Sequence, residues 1–180
     1  MPKSNSKFTS SFFFIVVLAI GIFSYIPPSY ADRIITLQKV SNVNESSLLD
    51  ALSNVSEYPQ IFPDNVKYVK ILDNNTKLVE MNAGINGIFF DTKAICTTDA
   101  NGNYVLQVVS GDLNGTTMTT TLQPTWGFQG QKDGGTIANI NLDVKTSGVL
   151  SWMLNFVPDS TVSDALNFGF DKFIEYIQMT

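Results

Sequence analysis

The sequence predicts an α+β fold in which a curved seven-stranded antiparallel sheet wraps round a long C-terminal helix, with two short helices after the first strand. Three observations carry this expectation. An Ile-, Val- and Thr-rich run over residues 33–43 gives way at once to a capped, leucine-rich segment. Residues 66–145 then alternate between apolar and polar side chains and are broken by regular turn clusters. Finally, Val162, Leu166, Phe170, Phe173 and Ile177 recur at helical spacing. A strand, short helices, a run of strands and a terminal helix make an α+β order.

Each element has a local reason. Asn44 and Ser46 are cap residues for a short helix carrying Leu48, Leu49 and Leu52. Pro59 and Pro63 bracket a second helical turn and prevent a longer helix there. The alternating region is cut into six strands at residues 73–75, 84–87, 99–103, 111–115 and 127–135, and Asn101-Gly102 is the strongest hairpin signal. Side chains two apart in a strand share a face, so Val79/Met81/Ala83, Phe90/Thr92/Ala94/Cys96, Leu106/Val108, Met118/Thr120/Leu122 and Ala138/Ile140/Leu142/Val144 form a covered face. Lys70, Glu80, Asp91, Lys93, Asn139, Asn141 and Asp143 fall on the wet one. An amphipathic helix starting near Asp159 is the cover.

Composition removes several chemistries. The chain has no histidine and one cysteine, Cys96, so Ser-His-Asp or Cys-His catalysis within it is excluded, as are a Cys/His zinc site and an internal disulfide. A formal charge of −5 argues against nucleic acid as a partner. Asp99-x-Asn101-x-Asn103 has the start of a calcium loop but no later glutamate, and reads as a hairpin turn; no metal and no cofactor is expected.

The first residues read as a targeting segment. Lys3 and Lys7 precede an apolar run over 12–26, then Pro27, Pro28, Ser29, Tyr30 and Ala31. Ser29 and Ala31 are the small residues a signal peptidase accepts, which places cleavage after Ala31. The run is shorter than the roughly 20 residues that span a bilayer. The expected organisation is 1–31 as a secretory signal or, alternatively, a membrane anchor, and 32–180 as one domain outside the cytoplasm. Export gives meaning to four Asn-x-Ser/Thr sequons, at Asn44, Asn54, Asn74 and Asn114, although these residue types also serve as ordinary turns and caps.

Residues 52–63, Leu-Ser-Asn-Val-Ser-Glu-Tyr-Pro-Gln-Ile-Phe-Pro, followed by Val66-Lys67-Tyr68-Val69-Lys70-Ile71-Leu72, resemble the START-like (SRPBCC, Bet v 1-like) superfamily, in particular its polyketide cyclase/dehydrase and coenzyme Q-binding branch. There a helix-grip domain passes through a Tyr-Pro-x-Phe-x-Pro turn before its second strand. Ile61 stands here at the usual aromatic position and Asn54 where that branch often has Asp. The resemblance implies a hydrophobic cavity between sheet and terminal helix, holding a lipid, quinone or polyketide-like molecule.

The covered face independently shows many small residues, among them Ala83, Thr92, Ala94 and Thr120, which leave room for either the helix aromatics or a ligand. The residues expected to line such a cavity are Met81, Phe90, Ala94, Met118, Trp126, Phe128, Trp152, Phe170 and Phe173. Trp126 and Phe128 belong to a glycine-rich connection over 123–135 that reads as a lid or as an ordinary hairpin loop; Leu150, Trp152, Met153 and Phe156 form a portal, a membrane-surface contact or core. No carboxylate pair falls on the covered side, so no catalytic residue is assigned. The leading expectation is an exported, monomeric, non-catalytic binder or carrier of a hydrophobic small molecule. A cell-surface interaction module with a filled core and a cyclase or dehydratase remain the alternatives.

Overall fold

The computed structural model describes residues 33–85, 88–126 and 132–180. The expected signal or anchor at 1–31 and Phe128 lie outside the described residues. The chain runs β1 (Arg33–Ser41), α1 (Glu45–Ser53), a 3-10 turn (Val55–Glu57), α2 (Tyr58–Ile61), β2 (Val66–Asp73), β3 (Leu78–Ile85), β4 (Ile88–Thr98), β5 (Tyr104–Val108), β6 (Thr117–Trp126), β7 (Lys132–Val144), α3 (Gly148–Leu154) and α4 (Asp159–Met179). The described strands make one seven-stranded sheet in the order β1-β7-β6-β5-β4-β3-β2, every pair antiparallel. This is the expected meander, with β1 returning to pair with β7.

Local chemistry explains the boundaries. The Asn44 carboxamide accepts the Ser47 backbone N–H at 2.8 Å and so satisfies one of the free donors at the start of α1. Pro59 sits in the first turn of α2, where its missing N–H is harmless. At the β4–β5 turn Asp99 Oδ1 accepts the backbone N–H groups of Asn101 and Asn103, and Gly102 takes φ +83°. The loop's own amides therefore occupy the carboxylate that opens the calcium-like motif.

The two faces of the sheet separate as the alternation predicts. Val79, Met81, Ala94, Cys96, Tyr104, Ala138 and Ile140 are buried on the concave side, while Lys70 and Glu80 stand opposite each other on the convex side. α1, α2 and α4 cover the concave face. The closest backbone partners of α4 are β1, α1 and α2, so the middle strands meet it through long side chains.

The sequence reading missed one helix. α3 forms just before the terminal helix and is seated on the β5–β6 connection: the Asp112 carbonyl accepts the Ser147 N–H at 2.8 Å, and the Asp112 carboxylate accepts that of Leu150 at 3.4 Å. Gly148 opens α3 with φ +59°, and a Cβ there would lie 2.9 Å from Asp112 Oδ2. Gly148→Ala is therefore expected to lower stability by about 1–2 kcal/mol, from the left-handed backbone and the displaced Asp112 together. Urea unfolding followed by circular dichroism measures it, and a variant as stable as the parent would remove Gly148 from this role.

Candidate ligand-binding site

The concave face is closed first by a plug of tyrosines and phenylalanines. Tyr58 of α2 donates its hydroxyl hydrogen to the Leu52 carbonyl at 2.7 Å, at the end of α1 where helix carbonyls lack intrahelical partners. Its oxygen lies 2.9 Å from the Tyr104 hydroxyl on β5. Because the Tyr58 hydrogen is already committed, Tyr104 donates and Tyr58 accepts. The rings of Tyr58, Phe62 and Phe173 meet edge to face, with centroids 5.1–6.0 Å apart, and Phe170 is buried one turn before Phe173.

Burial sets the electrostatics of this plug. It pushes the Tyr58 and Tyr104 phenols far above their ordinary value and raises the Cys96 thiol. All three groups are neutral hydrogen-bonding elements near pH 7. On the convex side, Asp91 accepts from Asn82 and Tyr68, each at 2.8 Å; the two bonds hold its carboxyl below the usual carboxylate range, and the bond to Asp91 pushes exposed Tyr68 up to about 12. Glu80, Asp91 and Asp143 thus stay on the face opposite the helix, as their strand phase predicts.

Beyond the plug the interior is less tightly covered. The pairing places Leu142, Met118 and Leu106 in one row across β7, β6 and β5. All three large side chains are only half-buried, although Ile35, Ile140, Thr120, Tyr104 and Val144 around them are buried. Val162 and Leu166 on the N-terminal half of α4 are half-buried too. Leu106 and Met118 pack against the core and, like Leu142, keep part of their surface accessible.

The expected cavity residues divide accordingly. Met81, Ala94, Phe170 and Phe173 belong to the packed core, and Met118 lies in the half-buried row. Phe90 points the same way through its pairing with Ala83 but is 43% exposed. The side chains of Trp126 and Trp152 lie outside the described residues. Asn44, Asn54, Asn74 and Asn114 are all exposed. Sequence reasoning missed three residues. Tyr104 lies two before Leu106 and Lys39 two after Leu37, so strand phase alone carried their signal; Arg33 continues the β1 phase at its other end.

With this geometry established, comparison with solved structures decides the fold. A START superfamily protein from Mycobacterium smegmatis superposes with a TM-score of 0.65 over 82% of this chain and 99% of its own, at 15% identity. The chain has the START-like, helix-grip fold. An aromatase/cyclase from Streptomyces matches at TM-score 0.62 and 13% identity over 82% of this chain and 94% of its own. A truncated norcoclaurine synthase from Thalictrum flavum matches at 0.61 and 12% identity, over 85% and 98%. No protein-family model matches the sequence, and no curated protein matches it. At these identities the likeness concerns the fold alone, and that fold is carried by proteins named as enzymes as well as by others.

The hydrogen-bond direction in the plug predicts an asymmetry. Tyr58→Phe strands both the Leu52 carbonyl and the Tyr104 hydroxyl and should lower stability by about 2–3 kcal/mol; Tyr104→Phe removes one bond and should cost about 1 kcal/mol, and urea unfolding of the two variants ranks them. The raised phenol values predict alkaline sensitivity. A group whose folded value lies above its unfolded one stabilises fully below the unfolded value, 10.0 for tyrosine, and loses that contribution as pH rises beyond it. Cys96, raised from 9.0, begins the loss and the two tyrosines continue it, so the denaturation midpoint should hold from about pH 7 to 8 and fall progressively above about pH 9, less steeply in Tyr104→Phe.

Proposed function

We propose that this chain is an exported, non-catalytic binding protein for an apolar small molecule, such as a lipid, quinone or polyketide-like compound. The ligand lies between the concave face of the sheet and the N-terminal half of α4. The observation that carries this reading is the half-buried row Leu142–Met118–Leu106 within an otherwise buried concave face, with Val162 and Leu166 on the half of α4 beyond the aromatic plug. Apolar contact area at about 25 cal/mol per Å² supplies the affinity. The helix-grip fold supports the reading, because it builds a sheet around a helix with space between them.

The non-catalytic part rests on the chemistry of the interior. The groups placed there, Tyr58, Tyr104 and Cys96, are held neutral by burial, and the carboxylates of the sheet face outward. A general acid or base needs a titration near the working pH. Export rests on the layout of residues 1–31, and the exposed sequons are consistent with it.

Purification without detergent, native mass spectrometry and organic extraction test the proposal. A stoichiometric apolar ligand is expected. The neutral fluorophore N-phenyl-1-naphthylamine should bind at one per chain, and Met118→Trp, which fills the row, should weaken it at least about tenfold while leaving the circular dichroism spectrum unchanged, since a lost contact of about 1.4 kcal/mol is already tenfold. A clean protein whose melting temperature no lipid, quinone or fluorophore moves would overturn the reading in favour of an interaction module.

A further inference from the structure

The sheet has two outer strands, and they are finished differently. β2 carries register shifts between Val66 and Tyr68 and between Ile71 and Asp73, and it holds Lys67 and Lys70. Bulges and lysines are the features by which an edge strand refuses a neighbour. β1 pairs with β7 in unbroken register over all nine of its residues, and its two cations are turned to the concave side. There the Arg33 guanidinium donates to the carbonyls of Leu154 and Val157, at 3.2 and 2.6 Å, and pairs with Asp159 at 2.8 Å. The Lys39 ammonium lies 2.7 Å from Asn167 Oδ1 and 2.7 Å from Asp171 Oδ1.

With both charges engaged on α4, the convex side of β1 is uncharged: Ile34, Thr36, Gln38 and Val40. Ile34 is 71% exposed and Val40 64%, more than Ile71 or Leu72 on β2. Among the described residues, the β1 main chain bonds only to β7, which leaves its outer row of N–H and C=O groups unpaired by them. A hollow beside Val40, Ser41 and Asn42 keeps that end of the edge open.

The spacing along β1 is self-complementary. When two copies of a strand pair antiparallel about a two-fold axis, opposed residues lie equally far from the central one and share a face. Centred on Leu37, the pairing uses the whole strand. Ile34 meets the partner's Val40, Thr36 the partner's Gln38, Ile35 the partner's Lys39 and Arg33 the partner's Ser41. Each exposed apolar side chain is covered by the other, and no two cations are opposed. Centred on Thr36, Arg33 faces the partner's Lys39; centred on Gln38, Ile34 faces the partner's Asn42. Of the three, the Leu37 register alone satisfies both the apolar ends and the charges.

We infer that β1 is a homodimer interface, at which two copies of this chain pair antiparallel about Leu37 and join their seven-stranded sheets into one, where the sequence by itself suggested a monomer. The inference is independent of the ligand-binding reading. The two-fold axis is perpendicular to the sheet, so both concave faces lie on the same side. A lone strand pair is small beside the roughly 1,000 Å² that a stable complex buries, so the dimer is weak and forms as concentration rises.

Sedimentation velocity of the purified chain from about 10 μM to about 1 mM, the range of weak association, tests this. A reversible monomer–dimer equilibrium is expected. Val40→Glu sets a carboxylate against each Ile34 and should raise the dissociation constant at least about tenfold, with an unchanged circular dichroism spectrum because Val40 is exposed. Adding Ile34→Lys to that variant opposes a lysine to each new glutamate and should bring the constant back to within about threefold of the parent. Asp143, beside Ile34 on β7, accommodates the lysine within its own chain. Ile71→Lys on β2 should change nothing. A chain that stays monomeric throughout overturns the inference, as do assemblies that grow beyond the dimer or that Ile71→Lys dissolves, since these point to the β2 edge. Loss of association in Val40→Glu without recovery in the double variant overturns the pairing about Leu37.

Discussion

The Tyr58 hydroxyl holds the architecture together, because one atom satisfies the end of α1, receives the hydrogen of Tyr104 on β5, and belongs to a ring that meets Phe62 and Phe173. With one cysteine and no possible internal disulfide, the fold depends on its core, and this cluster is where the two short helices, the sheet and the terminal helix converge. A buried pair of hydroxyls is stable here because each hydrogen has an acceptor; removing Tyr58 leaves the Leu52 carbonyl and the Tyr104 hydroxyl without these bonds, whereas removing Tyr104 leaves Tyr58 still bonded to Leu52.

That plug also determines where space remains. Large rings at Phe62, Phe170 and Phe173 fill the end of the interior beneath α1 and α2, and they fix the C-terminal half of α4. The N-terminal end is then held at its edge by Arg33 and the middle of the helix by Lys39, while the concave face presents Leu142, Met118 and Leu106 with surface still accessible. One helix therefore serves two purposes: its aromatic half makes the core, and its aliphatic half forms the wall of the proposed ligand site. The polar ties at the β1 edge keep that wall in place without filling the space behind it.

Much of this was legible in the chain. Period-two alternation named the concave face down to Met81, Ala94 and Ile140, and the 3.6-residue recurrence named Phe170 and Phe173 as its cover. The Tyr-Pro turn was readable as a structural signature because prolines at 59 and 63 admit few backbone paths. The Tyr58–Tyr104 bond was not readable, because it joins residues 46 apart in sequence, and tyrosine is at home on strand faces of either kind. Lys39 was passed over because a lysine in a half-buried strand reads as solvated until a helix is known to bring Asp171 to it. The helix α3 was missed for a related reason: a seven-residue helix is marginal alone, and its seat on Asp112 lies far back in the chain.

The sequence by itself determined the order of the elements other than α3, the face each strand residue takes, the absence of imidazole chemistry and of an internal disulfide, and the likeness to a helix-grip domain. These follow from local periodicity, turn chemistry and composition, which need no knowledge of distant contacts. Only the tertiary structure decided which inward residues fill the core and which keep accessible surface, which hydroxyls pair, and which cations tie the edge strand to the helix. Those outcomes depend on how far α4 stands from the sheet, and that distance is set by the joint volume of side chains drawn from every part of the chain.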